Sequence, residues 1–198
     1  AGTFMMQEAD LTWTGPIQFS TAKVYLTGGT LTLASGSSLT STGLIDLSSG
    51  STLALNGEFT QSGGELSADN TTIEVAGDFS KTAGDLTSSN ATLKLINDLT
   101  FSSDTPLSFK GLTLNGNVLT LGQPTNSFTL SDELTIKTPN GRIVQGSTSL
   151  QLNGGLKIDS GGVLRLTNTF DTGTAKIKLN GGLLAIDEDT TLNSSIEN

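Results

Sequence analysis

The 198-residue sequence contains neither cysteine nor histidine. The lack of cysteine excludes disulfide bonds and thiolate metal sites, and the lack of histidine removes the commonest general base of enzymes. The sequence also has no G-x-S-x-G nucleophile elbow, no P-loop and no dinucleotide-binding fingerprint. Nucleophilic catalysis and nucleotide chemistry therefore find little support.

Basic residues are scarce as well. The sequence has ten Lys and Arg residues and nineteen Asp and Glu residues, which gives a net charge of −9. Nucleic acids and anionic lipids are bound by clustered cations, so neither is expected as a partner. No window approaches the roughly 18 apolar residues of a membrane helix, so no membrane insertion is expected. The opening AGTFMMQEAD is unlike a signal peptide. Its first residue is Ala1 rather than Met, which suggests a processed product or a segment of a larger protein.

What the sequence does contain is a twenty-residue repeat. Residues 51–70, STLALNGEFTQSGGELSADN, align without a gap with residues 71–90 and 91–110. Turn residues such as Asn56-Gly57 and Gly63-Gly64 separate short runs in which apolar and polar residues alternate, which is the period of a β-strand. The apolar columns of the alignment are Leu53, Ile73 and Leu93; Leu55, Val75 and Leu95; Phe59, Phe79 and Leu99; and Leu66 and Leu86, with Leu107 displaced by one position.

Three short strands and three turns in twenty residues predict a coil that stacks on the next coil. Each strand would lie about 4.8 Å from its counterpart one coil later, and the inward side chains would form continuous ladders. We therefore predict an all-β fold, a single-stranded β-solenoid with about 20–27 residues and three short strands per coil. It would form one domain over residues 1–198, with about eight or nine coils and a length on the order of 40 Å.

The regularity of the repeat varies along the chain. Residues 28–110 hold the regular coils, and residues 111–198 hold longer, less regular ones in which the phrases LTLNGNVLTL, LQLNGGLKI and IKLNGGLLAI recur. Residues 1–27 depart from the pattern and contain the only Trp and both Met residues. Because a solenoid has to cover its terminal core and strand edges, we predict that this segment is an N-terminal cap or a docking segment. The candidate cap or assembly residues are Phe4, Trp13 and Ile196.

The most regular polar column is Glu58, Asp78 and Asp98. In a solenoid these carboxylates would lie about 5 Å apart, and Ca²⁺ takes oxygen ligands of this kind. The nonapeptide of calcium-binding β-rolls is absent, however. The alternative is a solvated acidic edge that keeps strands from pairing with other chains. Apart from this calcium hypothesis, no cofactor is expected.

Other polar residues suggest further sites. Thr52, Thr72 and Thr92 form a column of the kind that orders water on an ice-binding face, but the next outward column is Ala54, Glu74 and Lys94. Glu74 and Lys94 are predicted to form a cross-strand ion pair. Asn70 and Asn90 begin Asn-x-Thr glycosylation sequons.

A polysaccharide-cleaving site would need paired carboxylates beside an arginine. The candidate residues share no column of the repeat, and they are Arg142, Arg165, Asp132, Glu133, Asp159, Asp171 and residues 187–189.

The segment STLALNGEFTQSGGELSAD, with its L-x-L, N-G, short F-T-Q strand and G-G turn, resembles the repeats of bacterial filamentous-haemagglutinin-type adhesins and autotransporter passengers. The resemblance spans roughly residues 28–186. It implies a right-handed parallel β-helix, located outside the cell or on its surface, that acts as a stalk, an adhesive surface or a fibre. The resemblance implies no catalytic residue in this sequence.

The resemblance and the repeat together suggest a non-enzymatic extracellular structural protein, a β-solenoid module of a bacterial surface adhesin or of a self-assembling filament. Its expected partners are copies of itself joined end to end, the rest of a larger surface polypeptide, or host and environmental glycans. The alternative is a polysaccharide-binding or polysaccharide-cleaving β-helix, such as a lyase or a phage tailspike. A cleft that holds two carboxylates and Arg142 or Arg165 would favour this alternative.

Overall fold

The computed structural model of the protein describes residues 2–48, 50–103, 105–122, 127–137, 141–186 and 190–197. Every regular element in these ranges is a β-strand, and the named strands pair in parallel. They stack as a β-solenoid of about nine coils with about 21 residues each, which confirms the predicted fold class. Within the same ranges there is no helix of the length and hydrophobicity needed to cross a bilayer.

The strands fall into three ladders, which the chain visits in strict rotation, so that three strand segments complete one coil. The first ladder consists of β1 (Thr3–Gln7), β4 (Lys23–Thr27), β7 (Leu44–Ser48), the second parts of β9 (Glu58–Ala68) and β11 (Phe79–Thr87), β14 (Leu107–Phe109), β17 (Ser127–Leu130), β20 (Ser149–Leu152), and the first parts of β23 (Phe170–Asn180) and β25 (Leu192–Glu197).

The other two ladders follow the same order. The second ladder consists of β2 (Leu11–Trp13), β5 (Thr30–Leu33), β8 (Thr52–Leu55), β10 (Thr72–Val75), β12 (Thr92–Leu95), β15 (Gly111–Thr113), β18 (Leu134–Ile136), β21 (Leu156–Asp159), and the second parts of β23 and β25. The third ladder consists of β3 (Pro16–Phe19), β6 (Ser38–Ser41), the first parts of β9 and β11, β13 (Leu99–Ser103), β16 (Val118–Leu121), β19 (Arg142–Val144), β22 (Val163–Leu166) and β24 (Leu183–Ile186). Among the described residues, strand pairing is interrupted between β11 and β14 in the first ladder and between β15 and β18 in the second.

The alternation of apolar and polar residues decides which side chains enter the core. Leu53, Leu55, Phe59 and Leu66 are all essentially inaccessible to solvent, as the repeat predicts. Burial of one such side chain contributes about 1.5–3 kcal/mol, so each coil adds several of these contributions to the stack. A single continuous core therefore runs along the described coils.

The gap-free alignment of the repeat is wrong at one position, because Phe79 pairs with Phe101 and not with Leu99. The two additional residues lengthen β13 at its start, where Leu99 and Thr100 pair forward with Leu119 and Thr120. The physical reason is aromatic packing: the ring centroids of Phe79 and Phe101 lie 4.3 Å apart in a stacked arrangement. As a result, Asp98 stands two residues away from the column that Asp78 occupies.

Glycine at the corner between the third and first ladders lets successive coils approach closely. A Cβ atom on Gly64 would lie 2.1 Å from the carbonyl oxygen of Gly43, and one on Gly84 would lie 2.5 Å from that of Gly64. Gly64 and Gly84 also have positive φ angles, 62° and 87°, which other residues rarely adopt. Glycine at the second position of this turn is thus required both by the close approach of successive coils and by the positive φ angle.

Residues 2–27 are part of the solenoid itself. β1, β2 and β3 form the first coil and pair with β4, β5 and β6 in the same parallel register as later coils. The described part of the segment therefore holds the first coil and the first strand of the second coil. Its predicted role in docking remains a prediction.

Candidate functional site

A shallow polar furrow follows the turns that join the second ladder to the third. Its first part, lined by residues 36–38, 56–58 and 77–78, has a cavity volume of about 450 Å³. Its second part has a cavity volume of about 320 Å³ and is lined by Asp78, Asp98, Thr100, Thr120 and Arg142 together with Leu99 and Val118. Because Asp78 lines both parts, the furrow is continuous across six successive coils.

The carboxylates of the furrow do not form the three-residue column that the sequence predicts. Phe59 pairs with Phe79, which sets Glu58 beside Asp78, but the longer β13 displaces Asp98. The Oδ1 atom of Asp98 instead accepts a hydrogen bond of 2.8 Å from the backbone N–H of Val118. In the part of the chain that the structure describes, no group of three or more His, Cys, Asp or Glu side chains is placed to hold a metal ion. The calcium hypothesis for Glu58, Asp78 and Asp98 therefore lacks its third ligand.

The structure brings together Asp78, Asp98 and Arg142, which the sequence leaves on separate coils. Arg142 pairs with Val118, so it stands two coils beyond Asp98, roughly 10 Å along the axis. Both carboxylates are exposed. Two carboxylates and a guanidinium group along an open furrow can donate and accept hydrogen bonds with the hydroxyl groups of a linear sugar. The juxtaposition depends on the pairing of β13 with β16 and of β16 with β19, which the repeat alone does not reveal.

The remaining acidic candidates lie on other parts of the surface. Lys178 Nζ lies 2.6 Å from Glu133 Oε2, and this hydrogen bond raises the pKa of Lys178 above its ordinary value. Asp159 accepts a hydrogen bond of 3.0 Å from Asn180 Nδ2 and pairs with Lys157, and both contacts lower the pKa of Asp159. The pair of Lys178 and Glu133 links different coils, whereas Lys157 and Asp159 lie in the same strand, β21.

The other candidate residues are dispersed. Asp171 Oδ1 accepts a hydrogen bond from the N–H of Gly173, while Asp132 follows β17 and Arg165 lies in β22 on the third ladder. The run at 187–189 lies outside the described residues. Asp132, Arg165 and Asp171 do not line the furrow.

Two predicted columns on the second ladder are confirmed. Thr52, Thr72 and Thr92 pair directly across neighbouring strands. Glu74 and Lys94 form the expected cross-strand ion pair, with 2.6 Å between Lys94 Nζ and Glu74 Oε1. This pair interrupts the uncharged face that ordered water would need, so the structure gives the ice-binding hypothesis no support.

The asparagines of the two sequons both lie in turns. Asn70 has a positive φ angle of 52°, and the side-chain amide of Asn90 donates a hydrogen bond of 2.7 Å to Asp69 Oδ1. The second contact links two successive turns, because Asp69 and Asn90 belong to neighbouring coils. Whether either asparagine is glycosylated stays a prediction.

The first coil exposes an aromatic cluster, which we call the N-terminal surface. It consists of exposed or partly buried side chains that point inward from β1, β2 and β3, which are Phe4, Leu11, Trp13, Ile17 and Phe19. Met6, the other inward residue of β1, is buried. The Trp13 ring lies 6.2 Å from that of Phe4 and 5.2 Å from that of Phe19, and these rings border a cavity of about 430 Å³. Phe4 is 41% exposed, although its partner Val24 is only 1% exposed. The surface is thus formed by side chains that belong to the core columns and are partly open to solvent.

The last described coil exposes the opposite side of the core, which we call the C-terminal surface. It consists of Leu184, Ile186, Leu192 and Ile196. Ile186 and Ile196 are 46% and 50% exposed, whereas their partners Leu166 and Ile177 are fully buried. The predicted assembly residues Phe4 and Trp13 therefore lie at one end of the rod and Ile196 at the other. Ile17, Phe19, Leu184 and Ile186 were missed, although the alternation in PIQF and LLAI marks them as inward.

Comparison of the chain with protein-family models, with curated proteins and with solved structures finds no match.

Proposed function

We propose that this chain is a non-enzymatic structural protein outside the cell, a β-solenoid module of a bacterial surface adhesin or of a self-assembling filament. The observation that carries the proposal is the parallel β-solenoid of about nine coils with one continuous apolar core. Such a core extends by adding further coils, because each coil is the packing partner of the next. The resemblance of the repeat to haemagglutinin-type adhesins supports an extracellular place of action.

The shape and chemistry of the surface suit an extended module. About nine coils at about 4.8 Å each give a rod on the order of 45 Å long. Its outward columns carry mainly threonine and serine, such as Thr40, Thr60 and Ser80 on the third ladder. A net charge of −9 keeps such rods apart from one another along their sides. Of the six exposed large hydrophobic side chains among the described residues, five lie in β1, β24 and β25: Phe4, Met5, Leu183, Ile186 and Ile196.

The proposal is tested by locating the protein on the cells that produce it. Antibodies raised against the purified chain are added to intact and to permeabilised cells, and a cytoplasmic marker controls for leakage. Equal labelling of intact and permeabilised cells, or recovery of the chain from the medium, is the expected result. Labelling that appears only after permeabilisation would overturn the extracellular assignment.

A second candidate function is polysaccharide binding or cleavage in the furrow. The observation that favours it is the convergence of Asp78, Asp98 and Arg142 in one depression. A cleaving enzyme would release reducing ends from an oligosaccharide panel, and the Asp78→Asn and Asp98→Asn variants would lose at least tenfold of that rate. Asp85→Asn, on an exposed residue away from the furrow, is the matched control. A structural module releases no reducing ends with any variant.

A further inference from the structure

The turns of the solenoid carry a residue pair that can change chemically without an enzyme. The sequence has five Asn-Gly pairs. Four of their asparagines, Asn56, Asn115, Asn153 and Asn180, are among the described residues, and the fifth, Asn140, lies outside them. Because glycine has no Cβ atom, its backbone nitrogen can approach the side-chain carbonyl carbon of the preceding asparagine with little steric hindrance. Each pair can therefore lose ammonia.

The reaction converts the asparagine into an acid. The glycine nitrogen gives up its proton and forms a bond to Cγ of the asparagine. The bond from Cγ to Nδ2 breaks, and the amide group takes up a proton and leaves as ammonia, so that a five-membered succinimide ring remains. Water then adds to one of the two ring carbonyl carbons and opens the ring, which yields either aspartate or isoaspartate. Water is the only co-reactant, and nothing is oxidised or reduced.

Two of the pairs have identical neighbours in the sequence. Residues 152–156 and residues 179–183 both read Leu-Asn-Gly-Gly-Leu. Both asparagines are exposed; Asn153 follows β20, and Asn180 is the last residue of β23. Since the local sequence is the same, the two sites are expected to react at similar rates in the unfolded chain. A difference between them in the folded chain must therefore come from their contacts.

The contacts of the two asparagines differ. Asn180 Nδ2 donates a hydrogen bond of 3.0 Å to Asp159 Oδ1 on the preceding coil. Rotation of the Asn180 side chain towards the nitrogen of Gly181 would break this charge-assisted bond. The side chain of Asn153, in contrast, forms no hydrogen bond with the described residues, and the N–H of Gly154 donates none to them. Both reacting groups are thus free at Asn153, whereas at Asn180 the side chain is held.

We propose that Asn153 is a site of spontaneous deamidation in the folded chain and that Asp159 protects Asn180 from the same reaction. The inference is independent of the proposed structural function. A hydrogen bond to a charged group corresponds to a factor of roughly ten or more in an equilibrium. We therefore expect Asn153 to react at least tenfold faster than Asn180.

Deamidation at Asn153 would change the stacking of the coils as well as the charge. Isoaspartate adds one carbon atom to the main chain in the turn that joins β20 to β21. A Cβ atom on Gly154 would lie 2.2 Å from the carbonyl carbon of Asp132, so this turn has no room to widen towards the preceding coil. β20 and β21 also pair with strands on both of their sides. The isoaspartyl form is therefore expected to unfold at a lower temperature than the unmodified chain.

The role of Asp159 is tested by replacing it. Asp159→Ala removes the acceptor and is expected to raise the rate of deamidation at Asn180 at least fivefold, whereas Asp159→Asn keeps an acceptor oxygen and should raise it less. Asp46→Ala, at an outward position of β7 in a distant coil, is the matched control and should leave both rates unchanged. Circular dichroism shows whether each variant is folded. An unchanged rate at Asn180 in a folded Asp159→Ala variant would overturn the protection.

The rates themselves are measured on the unmodified chain. The purified protein is incubated at mildly alkaline pH, and mass spectrometry of its peptides follows the asparagine, aspartate and isoaspartate forms of each site. The folded chain is expected to modify Asn153 at least tenfold faster than Asn180, whereas the chain kept unfolded in urea should modify both at similar rates. Similar rates in the folded chain, or a faster reaction at Asn180, would overturn the proposal. The same tenfold difference in urea would also overturn it, because the fold would then not be the cause.

Discussion

The rings of Phe79 and Phe101 stack with their centroids 4.3 Å apart and their planes 26° from parallel. Phe59 continues the stack on the other side of Phe79, with its centroid 5.0 Å away. These three side chains come from successive coils of the third ladder, and all are buried. The stack therefore fixes the register where the third copy of the repeat departs from the twenty-residue period.

Removal of one ring from this stack is expected to cost more than removal of an outward neighbour. Phe101→Ala leaves a cavity in the core and should lower the free energy of unfolding by about 3–5 kcal/mol. Thr100→Ala, at an exposed position of the same strand, should change it by no more than about 0.5 kcal/mol. Urea unfolding followed by circular dichroism measures both values. Similar, small effects of the two changes would contradict the assigned register.

The glycine contacts at the corners predict a loss of stability that arises from overpacking. Gly64→Ala places a methyl group against the carbonyl oxygen of Gly43, whereas Gly36→Ala, at a φ angle of 75°, meets no atom within 4 Å. Both changes carry the left-handed backbone penalty of about 1–2 kcal/mol. Gly64→Ala should add overpacking and reach about 3–4 kcal/mol in total. If thermal unfolding shows equal losses, the coils do not approach as closely as described.

The hydrogen bonds of Gln145 predict that its replacement lowers the free energy of unfolding. Its side chain is fully buried, its Nε2 atom donates to the carbonyl oxygens of Thr148 and Thr169, and its Oε1 atom accepts from the N–H groups of Thr167 and Asn168. Gln145→Leu keeps the volume but leaves these backbone groups unpaired, at about 1–3 kcal/mol for each one that water cannot reach.

The measured quantity is again the free energy of unfolding, and Gln151→Leu is the matched control. Gln151 points outward from β20 and is exposed, so its replacement should be nearly neutral. A neutral Gln145→Leu variant would show that water satisfies the backbone groups between these turns.

The contacts of Asp159 predict that the stability of the folded chain depends on pH in the acidic range. The hydrogen bond from Asn180, and then the contact with Lys157, lower the pKa of Asp159. Because the folded-state pKa is lowered, the stabilisation is present above the unfolded-state value of about 3.9 and is lost as the pH falls through the folded-state value. An NMR titration should find Asp159 below the ordinary range, and Asn180→Ala should raise its pKa more than Lys157→Met does. A titration midpoint at or above about 3.9 in the unmodified chain would contradict this assignment.

The sequence predicts the solenoid well because its period appears directly in the positions of Leu, Ile, Val and Phe. The inward residues Leu53, Leu55, Phe59 and Leu66 and the ion pair between Glu74 and Lys94 follow from that period alone. The acid column fails at Asp98 because aromatic stacking selects Phe101 over Leu99, and packing between coils is not visible in an alignment. Arg142 joins the furrow only through strand pairing across longer coils.

The central claim is that the solenoid is a structural module that assembles into filaments, and electron cryomicroscopy of the purified chain over a range of concentrations and ionic strengths tests it most directly. The account predicts unbranched filaments one solenoid wide, with the strand spacing of about 4.8 Å repeated along the axis. Isolated particles at every concentration and ionic strength would contradict it.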